Sequence, residues 1–293
     1  MVNRLASKYM NNERKLKIKS SRKHQIIVSF TCISYRISHI LPVIESLRNQ
    51  TMQADKIILW LSKDKFLLDK GVPYKKIPRN IRKLAEAADT NFEIHYTENI
   101  GPYRKLLPTL EKFNSSEDII VTADDDIIYP EYWLDSLYKA FSKNKCVICF
   151  RARKMLFDDK NNLKPYLTWP KLDDLDNRKE LFLCPIGSYG VLYSPDYFDK
   201  RIFDPLFSKI CPSRCDIWFL VSALANQVLT EKIAAKTVNN ENHIIPGSQF
   251  PPLSPVFFLK RYRKLKWPKL WDINKPLNDN MLNAVFKYYS ILI

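Results

Sequence analysis

The chain opens on a polar, basic stretch and then alternates short apolar runs with amphipathic ones. Ile26-Ile27-Val28-Ser29-Phe30 is apolar and β-branched, of strand length, and predicts a buried strand. Over 38–49 the apolar residues Ile40, Leu41, Val43, Ile44 and Leu47 recur at helical spacing, with Ser38 placed to cap the helix. Lys56-Ile57-Ile58-Leu59-Trp60-Leu61 predicts a second buried strand. Strand, helix, strand at this spacing is a βαβ unit, which implies a parallel sheet. The alternation continues with a charged helical segment over 80–88, a strand over 92–96 and a helix over 105–113. A buried strand over 118–123 follows, then a helix opened by Pro130 and reaching Phe141, then a strand over 146–150.

The second half is less regular. Residues 151–180 are polar, rich in Asp, Lys and Asn, and without a clear period, which predicts a long functional loop or lid. Strand character returns over 183–194 around Gly187 and Gly190. A helix is expected over 216–225, a strand near Ile233, an extended Pro-rich segment over 246–256, and an amphipathic helix over 278–290. This predicts an α/β fold with an open, mostly parallel sheet and flanking helices. The expected divisions are a basic arm at 1–24, a catalytic domain at 25–245, and a C-terminal extension at 246–293.

Charge sharpens the picture. The net charge is +16 over 293 residues, which implies an anionic partner. The excess is concentrated in 1–24 and in 260–271, where Lys260, Arg261, Arg263, Lys264, Lys266 and Lys269 alternate with Tyr262, Trp267 and Trp271. Basic residues among aromatics suit an anionic bilayer surface. Single-stranded nucleic acid and a tail that binds nothing remain open, with nucleic acid the least favoured. The basic start is not followed by an apolar signal segment, and no apolar run is long enough to span a bilayer. Together these suggest a cytoplasmic protein with peripheral contact on the inner face of the plasma membrane. Cys146 and Cys149, with Cys211 and Cys215, have spacings a zinc site could use; burial as ordinary core thiols is the favoured reading.

The feature that points to chemistry is Asp124-Asp125-Asp126, set flush against the apolar run that ends at Ala123. Open α/β sheets bind ligands beyond the carboxyl ends of their strands. Adjacent carboxylates repel one another, and hard cations such as Mg²⁺ or Mn²⁺ favour carboxylate oxygens. A solvated acidic turn is the bland alternative, and the buried strand before it argues against that.

The segment Ile119-Ile120-Val121-Thr122-Ala123-Asp124-Asp125-Asp126-Ile127-Ile128-Tyr129-Pro130 resembles the DXD region of GT-A (Rossmann-like) glycosyltransferases. More narrowly it resembles a bacterial family-2-like group linked to surface polysaccharide, lipopolysaccharide or capsule synthesis. Ser46-Leu47-Arg48-Asn49-Gln50-Thr51 leading into Asp55 to Ser62, Gly101-Pro102-Tyr103-Arg104-Lys105, and Gly187-x-x-Gly190-Val191-Leu192-Tyr193 fit the same pattern. The resemblance covers about 25–240 and implies a GT-A domain with a C-terminal acceptor-side extension.

The same resemblance implies roles. The loop from Thr31 to Arg36 would meet the nucleotide. Asp124 would meet ribose, sugar or metal, Asp125 the donor sugar, and Asp126 the Mn²⁺ or Mg²⁺ ion, with His243 as a further candidate ligand. Arg104 and Lys105 would face a phosphate, and Gly187, Ser188 and Gly190 would let backbone approach donor or acceptor. Asp216 matches the general base of inverting enzymes, although a helix cap is an alternative. Cys215 stands where the narrower group commonly has a second acid. The implied activity is transfer from a nucleotide sugar to a glycan or lipid-linked acceptor. An impaired glycan- or nucleotide-binding relative, a nucleic-acid-binding protein and a nucleotidyltransferase are the rivals. The last should carry a Gly-rich loop near the first strand, and no Gly precedes Gly71.

Overall fold

In the computed structural model, the described residues are 23–67, 69–173, 175–235, 237–238, 241–242 and 277–291. Most of the expected runs become strands. These are β1 (Gln25–Thr31), β2 (Lys56–Leu61), β3 (Phe92–Tyr96), β4 (Asp118–Ala123) and β5 (Val147–Cys149). Further on come β6 (Ala152–Lys154), β7 (Arg178–Glu180), β8 (Leu183–Pro185), β9 (Val191–Tyr193) and β10 (Thr230–Lys232). Eight of them form one sheet in the order β3-β2-β1-β4-β9-β5-β10-β7. β1 to β4 are mutually parallel, and β10 is parallel to β5. β9 is inserted antiparallel between β4 and β5, and β7 is an antiparallel edge.

The helices are α1 (Leu41–Arg48), α2 (Arg79–Glu86), α3 (Leu107–Lys112), α4 (Trp133–Asn144), α5 (Phe207–Ile210), α6 (Cys215–Ala225) and α7 (Leu277–Tyr289). They cover both faces of the sheet, so apolar residues follow one another in the central strands rather than alternating with exposed polar ones; the polar Ser29 and Thr122 are buried there too. In β4, Ile119 and Val121 join the layer that includes Ile44 of α1 and Leu137 of α4. Ile120 joins the opposite layer, which includes Trp218 of α6 and Val285 of α7. α7, expected as part of a C-terminal extension, packs on α6: Tyr288 stacks on Trp218 with ring centroids 5.3 Å apart.

Three local expectations are corrected. Ser38 does not cap α1. A 3-10 turn over Ile37–His39 intervenes, the helix begins at Leu41 with Pro42 in its first turn, and the Ser38 hydroxyl instead meets His39 Nδ1 at 2.7 Å. Pro130 does not open α4, which starts at Trp133. Its carbonyl accepts hydrogen bonds from the Trp133 backbone at 3.0 Å and from the Gln50 amide at 2.9 Å. The third concerns 151–180, which carry two short strands and a 3-10 turn (Tyr166–Thr168). Buried Lys232 holds this segment down, donating to the carbonyls of Asp173 and, at 2.8 Å, Asp176. The stretch over 183–194 is two strands, β8 and β9, separated by a 3-10 turn at Gly187–Tyr189.

The basic arm to residue 22, His243, the Pro-rich 246–256 segment and the basic 260–271 cluster lie outside the described residues. No helix of the described residues is long and apolar enough to cross a membrane.

Gly190 closes that turn with φ +83°, and a Cβ there would lie 2.4 Å from Cζ2 of Trp133. Gly190→Ala combines a left-handed backbone with overpacking and is expected to destabilise the protein by about 2–4 kcal/mol. A lowered urea midpoint at unchanged slope is the measurement; an unchanged midpoint would refute the packing account.

Candidate functional site

β4 delivers the aspartate triplet to the carboxyl edge of the sheet. The turn that follows is fixed by Tyr129, which is buried against Trp133 with ring centroids 4.3 Å apart. Its hydroxyl accepts the Asp124 backbone N–H at 2.8 Å, and its own N–H donates to Ser46 Oγ at 3.1 Å. Tyr129 stands inside the aspartate motif, yet only the fold shows that it sets the motif's backbone.

Two cations meet the triplet. Arg36, in the loop after β1, reaches Asp125 Oδ1 at 2.5 Å and Asp126 Oδ2 at 3.1 Å. Lys105 ends a 3-10 turn (Gly101–Lys105) and places its ammonium 3.2 Å from Asp124 Oδ1 and 3.4 Å from Asp216 Oδ1. Asp216 is the second residue of α6, and its other oxygen accepts the Gly187 N–H at 3.2 Å. A Cβ on Gly187 would lie 2.8 Å and 2.9 Å from the two Asp216 oxygens and 3.0 Å from Lys105 Nζ. The backbone can approach this closely because residue 187 lacks a side chain.

The structure thus brings Arg36, Lys105, Asp124, Asp125, Asp126, Gly187 and Asp216 to one edge. Among the four carboxylates Asp216 has the most exposed side chain, at 39%. Burial raises the pKa of Asp124, Asp125 and Asp126 despite the attraction of Lys105 and Arg36. Burial works the other way on the Lys105 ammonium, but Asp124 and Asp216 outweigh it and hold its pKa well above the ordinary lysine range. The two directions agree physically: one ammonium faces two carboxylates, while Asp124 also feels Asp216 and Asp126 as like charges.

The remaining candidates sit elsewhere. Arg104 is buried and donates to Asp69 Oδ2 at 2.8 Å and to the Gly101 carbonyl at 3.1 Å. Asp69 also accepts the backbone N–H groups of Ser34 and Gly71, each at 3.0 Å, so this ion pair braces the loops around the site. The Thr31 hydroxyl donates to the Trp60 carbonyl at 2.8 Å. Gly190 packs on Trp133 as described above. Cys215 is buried beside Asp216, to which its thiol points at 3.6 Å.

All six cysteines are free and buried. Burial pushes the thiols of Cys184 and Cys211 up to about 12 and that of Cys146 up to about 11, as for core thiols.

For a divalent ion, the described residues contain no converged group of three His, Cys, Asp or Glu side chains. The triplet fans out, Asp124 toward Lys105 and its two neighbours toward Arg36. Even so, four carboxylates share two cations, a surplus of two negative charges on hard oxygen donors. In donor chemistry and charge, Asp124 and Asp126 fit a hard divalent cation.

No family model matches the chain, and no curated protein matches it by sequence. Among solved structures, TarS 1–349 of S. aureus aligns over 74% of this chain and 59% of its own, with 13% identity and a TM-score of 0.43. The same TarS fragment in complex with UDP aligns over 73% and 59%, with 11% identity and a TM-score of 0.43. The inositol-1-phosphate CTP transferase of T. maritima aligns over 74% of this chain and 87% of its own, with 9% identity and a TM-score of 0.39. The chain therefore spans less than two thirds of the TarS fragment. Likeness at this level says nothing about chemistry, and the fold assignment rests on the strand order itself.

The crowded carboxylates make a stability prediction with a definite sign. Their folded-state pKa values are raised, so the folded protein binds protons more readily than the unfolded chain there. Their contribution is most favourable below the ordinary aspartate value and declines as pH rises through the shifted values. Asp126→Asn is therefore expected to raise the ligand-free melting temperature by a few degrees at pH 7. That gain should shrink as pH falls toward the ordinary aspartate range. Thermal melts of both proteins across pH check it; a lower melting temperature for the variant at pH 7 would show that the Arg36 pairing dominates instead.

Proposed function

We propose that this chain is a metal-dependent glycosyltransferase of the GT-A type. It would move a sugar from a nucleotide-diphospho-sugar to a hydroxyl of a glycan or lipid-linked acceptor, with inversion. The observation that carries the reading is the meeting, at the carboxyl edge of the sheet, of the aspartate triplet with Lys105 and Asp216. The sequence resemblance to enzymes of surface-polysaccharide synthesis supplies the acceptor class, and the basic segments 1–24 and 260–271 suit contact with an anionic membrane.

Asp124 and Asp126 would hold Mn²⁺ or Mg²⁺, with His243 a further candidate ligand. When bound, the ion supplies electrostatic stabilisation of the departing diphosphate. The protein's own residues do the rest. Arg36 and Asp125 would line the donor side, with Thr31 and Arg36 on the nucleotide loop. Asp216 would accept the proton of the acceptor hydroxyl as that oxygen bonds to the anomeric carbon and the bond to phosphate breaks. Lys105 and the Gly187 N–H each hold one oxygen side of Asp216, which fixes the carboxylate's direction before substrate arrives. Cys215 is buried, so Asp216 is the residue of the Cys215-Asp216 pair that reaches the cleft, which supports a mechanism with one base. Arg104, braced on Asp69, acts as a positioning residue for Lys105 in this scheme.

Calorimetry with UDP, GDP, CMP and ADP, with and without Mn²⁺, is the primary test. One nucleotide should bind in a Mn²⁺-dependent way, and Asp126→Ala should abolish that dependence. Absence of binding to every nucleotide in the presence of Mn²⁺ would reject the reading. Asp216→Asn should keep nucleotide affinity and lower turnover by about 10²–10⁴-fold. Wild-type turnover in that variant would remove Asp216 from the role of base.

A further inference from the structure

We infer that a cavity lined by Ile186, the residue before Gly187, and walled by Arg151, Arg153, Lys171 and Tyr166 binds a phosphate group carried by the acceptor. The inference rests on the transferase reading for the word acceptor; the cavity and its charge do not depend on it.

The cavity measures about 450 Å³, the size of a small-ligand pocket. Its three cations make no ion pair with any described acid, in contrast to Arg36, Arg104 and Lys105, which are all paired. The exposed Asp173, close by in sequence, directs its carboxylate to the Leu175 N–H at 2.9 Å. Behind the wall, the buried Asp279 carboxylate accepts the Tyr166 N–H at 2.6 Å, and the three positive side chains outnumber it, so the concave site concentrates anions.

The arginines are held in place before any ligand arrives. Arg151 lies over the Tyr189 ring at 4.1 Å from its centroid, and Arg153 over Tyr166 at 5.0 Å. Arg153 Nη1 also donates to the Trp169 carbonyl at 2.6 Å, while its Nε is buried without a partner. Rigid guanidinium groups with donors left over are suited to oxyanions.

Placement connects the cavity to the reaction. Ile186 lines it, and the Ile186 N–H donates to the Arg151 carbonyl at 2.9 Å. The next residue, Gly187, donates to Asp216. The cavity wall and the brace of the proposed base are therefore one stretch of backbone. The donor's diphosphate belongs with Arg36, Lys105 and the triplet, leaving these cations for a second anion. Three separate cations around the space match a phosphate, with its several anionic oxygens, better than a carboxylate, which one arginine fork satisfies. Tyr166 and Leu172 add apolar surface for the carbon skeleton that bears the phosphate.

The test uses the full chain and titrates it calorimetrically with sn-glycerol 3-phosphate, methyl phosphate and dimethyl phosphate, with glycerol as the uncharged control. Arg151→Gln combined with Lys171→Gln should weaken glycerol 3-phosphate by about tenfold or more. The same variant should leave the metal-dependent nucleotide affinity within about twofold, since no residue of the donor edge has changed. Because Arg153 holds the Trp169 carbonyl, it is left intact so that folding is preserved. Binding of both methyl and dimethyl phosphate would support an acceptor joined through internal phosphodiesters; binding of methyl phosphate alone would support a terminal monoester. Equal affinity in wild type and double variant would overturn the inference, as would loss of binding in Arg36→Gln alone, which would place the anion in the donor cleft. A phosphate effect of Arg151 and Lys171 without any nucleotide binding would keep the cavity and reject the transferase reading. The opposite pattern would reject the cavity and keep the transferase.

Discussion

A single ammonium joins the two halves of this molecule at the carboxyl edge of the sheet. Lys105 lies between Asp124, at the end of a central strand, and Asp216, at the start of a helix far along the chain. Without it the two partly exposed carboxylates would face each other with no cation between them, a costly arrangement. Its own position depends on the 3-10 turn that ends with it. That turn is held by Arg104 on Asp69, which in turn fixes the loops at Ser34 and Gly71. The order of dependence runs from a buried ion pair, through a turn, to the carboxylate proposed to act on the acceptor.

The central sheet was legible in the sequence because both faces are covered. Strands such as 56–61 and 118–123 then read as consecutive apolar residues, Ile57 to Leu61 and Ile119 to Val121, and their bounds agree with the structure. Helix starts were less legible. Ser38 and Pro130 carry the local signals of helix entry, but neighbouring contacts override both. Gln50 is the clearest cause: its amide takes the Pro130 carbonyl while its side-chain oxygen accepts the Leu134 N–H, and this sets where the helix begins. Order within 151–180 was hidden because its anchor, Lys232, is remote in sequence and looks like any surface lysine.

The site shows the same division. The triplet was visible because a buried strand running into three acids is locally anomalous. Gly187 and Asp216 could be placed through their motifs, but not their mutual contact, which depends on a backbone approach of about 3 Å that no spacing encodes. Arg104 and Lys105 look equivalent as neighbouring cations after a Gly-Pro turn. The fold separates them: Arg104 is turned to Asp69 to brace loops, and Lys105 is turned to the carboxylates Asp124 and Asp216. The basic cavity at Arg151, Arg153 and Lys171 gave no sequence signal, since its members are spread over a polar stretch without a period.

The strand order carries a consequence for how the chain comes together. β4 and β5 are close in sequence but never touch as partners, because β9 is inserted between them with the opposite direction. As the chain is synthesised, the first four strands and their helices can assemble, since their pairings are complete by Ala123. The open flank of β4 must then wait until Tyr193 has emerged, with its unpaired edge exposed in the meantime. The aspartate triplet at the end of that strand is made early. Its counterpart Asp216 arrives only after the gap is filled, on the helix whose Trp218 and Phe219 help to build the second apolar layer, so the carboxylate edge and the interior beneath it close together.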